Sequence, residues 1–175
     1  MVAVTSAKQY NDLEDVVAAK RGQYSLIVVL DGVEDPHNLG AVLRLADGVG
    51  ADGIVITKDR SVTITPVVAK VASGALDTVP LIAVTNLARA LKDIKEAGLW
   101  VIGATHDAPD VLYRMDLKRP LAWVIGGEGQ GLRRLTRDSC DMLCHLPMRG
   151  TVASLNLGTA TAVCLYETLR QRGAY

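Results

Sequence analysis

Six short runs of this chain are apolar at nearly every position: Leu26–Leu30, Gly53–Thr57, Val79–Val84, Leu99–Ala104, Leu121–Ile125 and Met142–Leu146. A strand with a polar face alternates; these do not, so each must be covered on both sides. Between them lie segments with helical spacing. One carries Leu39, Val42, Leu43 and Ala46. Another opens at Thr65-Pro66 and carries Val67, Val68, Val71, Ala72 and Ala75. A third is capped by Asn86, buries Leu87, Ala90, Leu91 and Ile94, and ends at Gly98; a fourth spans Leu132–Asp138. Strands alternating with helices predict an α/β domain with a six-stranded parallel sheet and helices on both faces.

At 175 residues the chain has the size of one domain. Residues 1–24 read as a lead-in whose short helix, with Leu13, Val16 and Val17, stops at Gly22; the domain proper is 25–175. The longest irregular connection runs from Thr105 to Pro120, and such connections tend to be functional or mobile.

Composition excludes several classes. No run of about 18 apolar residues is present, so nothing reads as a membrane span. The start, Met-Val-Ala-Val-Thr-Ser-Ala-Lys, lacks the charged-then-apolar order of a signal peptide, and a cytoplasmic location is expected. Cys140, Cys144 and Cys164 form no CxxC pair and no tetrahedral metal set with His145, so they read as reduced, buried thiols. The formal net charge is zero, so a grip on nucleic acid must come from local patches. Arg133, Arg134 and Arg137 make one candidate, although a solvated helix face explains them equally well. Arg114, Lys118 and Arg119 make another.

In parallel sheets, ligands collect outside the carboxyl ends of the strands. Here those ends are Asp31–Asn38, Thr105–Asp107, Gly126–Gly131 and Pro147–Asn156. After the first strand comes Asp35-Pro36, a helix cap, followed by Asn38, Gly40 and Arg44. Arg44 shares a helical stripe with Gly40 and Gly48, which implies clear space around its guanidinium. After the fifth strand comes Gly126-Gly-Glu-Gly-Gln-Gly131, a turn able to offer backbone N–H groups to a ligand. Its spacing is not that of a dinucleotide fold, because Leu132 stands where the third glycine belongs. Glu128 lies in this turn. After the sixth strand the chain breaks at Pro147 and Gly150, and Ser154 is the candidate N-cap of a closing helix carrying Leu155, Ala162, Leu165 and Leu169. Ser154 and Asn156 offer neutral hydrogen bonds, and the small residues Gly158–Ala162 admit another backbone or a ligand at close range. His37, His106 and His145 fit no nucleophile–base pattern.

Read together and in order, N-x-G-x-x-x-R (Asn38, Gly40, Arg44), the glycine-rich turn, and L-P-M-x-G-x-V-x-S-L-N (Leu146–Asn156) resemble the SpoU-type RNA ribose 2′-O-methyltransferases of the SPOUT class. The resemblance covers Leu26 to Arg172. It implies a C-terminal trefoil knot, against the general rarity of knots, with the closing helix tucked through the loop after Leu146. It also implies a homodimer, S-adenosylmethionine as cofactor, and no metal, because the sulfonium is already a good leaving group. Residues 25–175 would be the catalytic domain. Asn38, Arg44, Glu128, Ser154 and Asn156 would form the catalytic set, with Arg44 at the target ribose or its phosphate. Thr105, Gly126, Leu146 and Leu155 would hold the cofactor through backbone and apolar contacts.

The chain departs from the family wording twice. Gly127 replaces a common alanine, read as added flexibility, and Gly158 stands where serine is usual. The phrases V-P-L-I-A-V-T-N-L-A-R (Val79–Arg89) and L-R-R-L-T-R-D-S-C-D (Leu132–Asp141) are most similar to enzymes that methylate a guanosine of large-subunit ribosomal RNA. Those usually carry an extra N-terminal RNA-binding domain, whereas about 24 residues precede the first strand here. The expectation is either a catalytic-domain fragment or different RNA recruitment, with a tRNA methylase as the second reading. A non-catalytic RNA-binding module and an NAD oxidoreductase are the other classes. Retention of the five candidate residues together argues against the first, and the glycine spacing against the second.

Overall fold

The computed structural model describes residues 10–127 and 129–175, so Glu128 and the N-terminal segment read for a signal peptide lie outside the described residues. The strands are β1 (Leu26–Asp31), β2 (Gly53–Thr57), β3 (Leu81–Val84), β4 (Trp100–Ala104), β5 (Asp110–Val111), β6 (Leu121–Gly126) and β7 (Met142–His145). All pair in parallel in one sheet of order β3-β2-β1-β6-β4-β7-β5. The sheet therefore has seven strands, not six. The additional strand, β5, is two residues long and lies inside the stretch read as irregular. It extends the outer edge of β7 through the pairs Asp110↔Cys144 and Val111↔His145. Two residues, one of them charged, carry no periodicity that a sequence can show.

Coverage of both faces follows the pleat. Along β1, Leu26, Val28 and Leu30 enter one apolar cluster, and Ile27 and Val29 enter the other. The first cluster lies under α2 (Pro36–Val49), α3 (Pro66–Ala72), α4 (Ala75–Thr78) and α7 (Leu157–Arg172); the second lies under α5 (Leu87–Glu96) and α1 (Leu13–Ala19). At the centre of the first, Trp123 is fully buried and its Nε1 donates to Thr168 Oγ1 of α7 at 2.9 Å. That bond supplies the partner a buried indole N–H needs.

The capping residues set most helix boundaries. Asp35 accepts from His37 N at 2.8 Å with Pro36 at the first helical position, and Asn86 accepts from Arg89 N at 3.0 Å. Four boundaries differ from expectation. α1 ends at Ala19 with Lys20 left-handed (φ 39°), before Gly22. The helix opened by Thr65 breaks at Ser73 (φ 54°) and Gly74 (φ 90°), so Ala75 begins α4 instead of ending α3. α6 (Arg134–Asp138) starts later than Leu132, because Arg133 is extended. The cap of α7 is Asn156, whose side chain accepts from Thr159 N at 2.8 Å; Ser154 is not the cap. Leu155 therefore lies before the helix, and the buried face of α7 is Leu157, Gly158, Thr161, Cys164, Leu165 and Thr168.

Candidate active site

The sheet order reverses direction after β3, and the chain returns on the far side of β1. The neighbouring strands β6, β4 and β7 thus end side by side, at the place where open α/β sheets hold ligands. A cavity of about 730 Å³ opens there. Thr105 and Gly126 continue β4 and β6 into its wall, while Leu146, Ser154, Leu155 and Asn156 come from the segment between β7 and α7. Six of the predicted site residues are thus brought into one pocket.

The glycine-rich turn forms the second wall by folding back on itself. Gly127 N donates to Asp31 O at 3.0 Å and Gly131 N to Gly127 O at 3.1 Å, with Gly129 and Gly131 at positive φ. A Cβ on Gly126 would overlap the backbone of Gly131 and Leu132, so glycine is required for the fold-back. A Cβ on Gly127 would stand 2.5 Å from Gly32 O. The departure from alanine is therefore a matter of close packing against the end of β1, and not of flexibility.

Two ion pairs stand beside the pocket, one buried and one at its rim, and neither was singled out from the sequence. Asp31, fully buried at the end of β1, accepts from Arg133 N at 2.8 Å and from Arg133 Nε at 2.7 Å, which pins the exit of the turn to the central strand. At the pocket rim, Arg137 Nη1 donates to both oxygens of Asp107 at 2.7 and 2.9 Å, and Thr105 Oγ1 donates to Asp107 Oδ1 at 2.8 Å. The Arg137 bond, aided by Thr105, lowers the Asp107 carboxyl to about 2. The candidate RNA patch thus splits: Arg133 and Arg137 serve the pocket, and Arg134 alone points outward, 4.0 Å from Asp138. The sequence signals were a charged residue ending an otherwise apolar strand, for Asp31, and a position beyond a strand end, for Asp107. Nothing local pairs them with arginines 102 and 30 residues away.

The first and third motifs meet through their asparagines. Asn156 Nδ2 donates to Asn38 Oδ1 at 3.1 Å, and Asn38 is buried in the first turn of α2. Gly158 sits against the same pair: a Cβ there would find Asn38 Oδ1 at 3.4 Å and Ala41 Cβ at 3.7 Å, ordinary contact distances. Arg44 lies outside the pocket. It is exposed on α2 and makes no hydrogen bond or ion pair among the described residues. The space expected beside it is filled. Gly40 seats α3, where a Cβ would be 2.6 Å from Val71 Cβ, and Gly48 faces the Tyr166 hydroxyl at 3.0 Å. These glycines let helices approach; they do not clear a volume for the guanidinium.

Burial pushes the Cys140 and Cys144 thiols up to about 12 and Cys164 well above its ordinary value, so none is a thiolate nucleophile near neutral pH. Among the described residues no three His, Cys, Asp or Glu side chains are grouped as metal ligands, and no helix is long and apolar enough to cross a membrane.

A pocket walled by parallel strand ends, a glycine-rich fold-back and a helix start defines an α/β domain built to take a nucleotide-like cofactor. Residues 25–166 match the SpoU rRNA Methylase family, and the chain belongs to that family. It is 53% identical over 168 residues to a 23S rRNA (guanosine-2′-O-)-methyltransferase of Nitrosomonas europaea, covering 96% of this chain and 64% of that protein. The enzyme of the same description from Pseudomonas putida is 56% identical over 147 residues, covering 84% of this chain and 59% of that one. The chain thus spans less than two thirds of the length of these relatives. The SpoU methyltransferase AviRb of Streptomyces viridochromogenes, solved in complex with AdoMet, superposes with a TM-score of 0.84 at 26% identity, over 95% of this chain and 67% of that one.

Proposed function

We propose that this chain is the catalytic domain of an S-adenosylmethionine-dependent methyltransferase acting on the ribose 2′-hydroxyl of a guanosine in 23S rRNA. The observation that carries the reading is the convergence of Thr105, Gly126, Leu146 and Leu155 on one pocket, joined to Asn38 through Asn156. The substrate follows the relatives' descriptions. The residues fit the cofactor. Ile125, Leu132 and Leu157 offer an apolar bed, the glycines of the turn bring backbone to the wall, and among the described residues the rim carries one charge of each sign.

Bound S-adenosylmethionine supplies a methyl group already activated by its sulfonium. The protein must then place the 2′-oxygen in line and help its proton leave. Asn156 and Ser154, on the pocket wall, orient the ribose. Arg44, exposed on α2 outside this pocket, is accessible to RNA from solvent. A guanidinium is hardly ever deprotonated in proteins, so Arg44 acts by holding a phosphate or steadying the forming alkoxide, not as the base. Glu128 belongs to the same set by its place in the turn.

A homodimer is supported by the exposed apolar side chains Leu135, Val152 and Leu155, the last on the pocket wall, and by Tyr166 on α7. We read the path of α7 as the family's trefoil knot. The helix runs from the pocket to the opposite end of the sheet, where Gln171 and Arg172 bond to Leu117, and Arg172 also to Arg119 and Tyr24. We take residues 25–175 as the catalytic domain and 1–24 as its lead-in, and a ribosomal RNA substrate supports a cytoplasmic location.

The test is a map of 2′-O-methyl marks in RNA from cells with and without the gene. Loss of one guanosine mark in 23S rRNA, restored by the wild-type gene, is the expected result. Loss confined to tRNA, or no loss, overturns the substrate.

A further inference from the structure

Among the described residues lining the pocket, only Asp107 and Arg137 carry a full charge, and they carry one of each sign. They stand at the rim, their side chains 51% and 36% exposed, and are bonded to each other through both carboxylate oxygens. The rest of the lining is apolar, glycine or neutral. This division matches a ligand with a flat, largely apolar body and a charged end, because a charged end is costly to bury and belongs where the wall is both charged and wet.

We propose that the Asp107–Arg137 pair is the receptor for the zwitterionic amino-acid end of the cofactor, with Arg137 taking the α-carboxylate and Asp107 the α-ammonium; this rests on the cofactor reading above. Exchanging this pair for contacts with a zwitterion is cheap, since an ion pair this exposed gains little from its own contact. Arg137 presents a fork suited to a carboxylate. Asp107 is held in place by Thr105, and its carboxyl at about 2 stays ionised throughout the neutral range.

The proposal is tested by calorimetric titration of the wild-type chain, Arg137→Gln and Asp107→Asn with three ligands. S-adenosylmethionine and S-adenosylhomocysteine carry the amino-acid end; 5′-methylthioadenosine has the same nucleoside and thioether without it. Each substitution should weaken the first two by roughly tenfold to a hundredfold, the loss of one charge-assisted contact, and change the third by less than about threefold. Arg137→Lys should recover part of the loss, because it keeps the charge without the fork. Equal weakening of all three ligands would show that the pair shapes the pocket or holds the ribose, and would overturn the proposal. Unchanged affinity for all three would overturn it too, while leaving the cofactor reading intact. If the wild type binds none of them, the cofactor reading fails and this inference with it. Unfolding midpoints of each variant accompany the titrations, and the two substitutions stand on different elements, so a folding defect in one leaves the other to decide.

Discussion

Asn156 Nδ2 lies 3.1 Å from Asn38 Oδ1, so two asparagines 118 residues apart join the start of α7 to the first turn of α2. Asn156 Oδ1 meanwhile accepts from Thr159 N. One amide therefore caps the closing helix and ties the first motif to the third.

Replacing Asn156 by alanine removes both bonds. The cap alone is worth about 0.5–2 kcal/mol, so denaturant unfolding of Asn156→Ala should show a loss in at least that range. Methyl transfer should fall in parallel, because Asn38 Oδ1 loses the Asn156 amide that ties the first motif to the third. A variant with wild-type stability and rate would show that the link is incidental.

Arg44→Ala should leave stability unchanged, since the side chain is exposed and makes no bond among the described residues. Single-turnover methylation should drop roughly 10²–10⁴-fold, the range for a positioned acid–base group or one electrostatic donor. Cofactor affinity should barely move. Near-normal turnover would place Arg44 outside the reaction.

Gly127→Ala introduces the residue common in the family, yet its Cβ would approach Gly32 O to 2.5 Å. Backbone meets backbone here, so a cost of about 1–3 kcal/mol is expected, with weaker cofactor binding as the turn shifts. A neutral substitution in thermal unfolding would disprove the packing account. Gly126→Val is a poorer probe of the pocket than its position suggests, since it collides with the turn itself.

Among the described residues, Arg133→Leu leaves a fully buried Asp31 carboxylate with only the backbone N–H of residue 133. Breaking a buried pair from one side costs about 3–5 kcal/mol, and the half-exposed arginine puts this case at the lower end. Equilibrium unfolding gives the value, and a change under 1 kcal/mol, roughly the worth of an exposed pair, would refute the clamp.

Burial holds the Cys140 and Cys144 thiols at about 12. At a pH of about 8.5, near the ordinary thiol value, they should resist alkylation in the folded chain and react in denaturant, as read by mass spectrometry. Rapid modification of the native protein would contradict the packing around β7.

Most of the sheet was legible in the sequence because a strand buried on both faces is apolar at every position, and six such runs leave little choice of architecture. The edge strand Asp110–Val111 was not legible, since its only cause is the unpaired margin of β7. The residues of the pocket wall were legible for a similar reason: in a parallel sheet, Thr105, Gly126 and Leu146 can only emerge at strand ends. Asp31 with Arg133, Asp107 with Arg137, and Asn38 with Asn156 were decided by tertiary structure alone. Asn38, Asn156 and Asp31 can be noticed within their own segments, but nothing there names their partners, and only the reversal of strand order brings the two sides together. The same holds for Gly40 and Gly48, whose missing side chains are filled by Val71 and faced by the Tyr166 hydroxyl. Local sequence records that space is needed there, and long-range packing determines what occupies it.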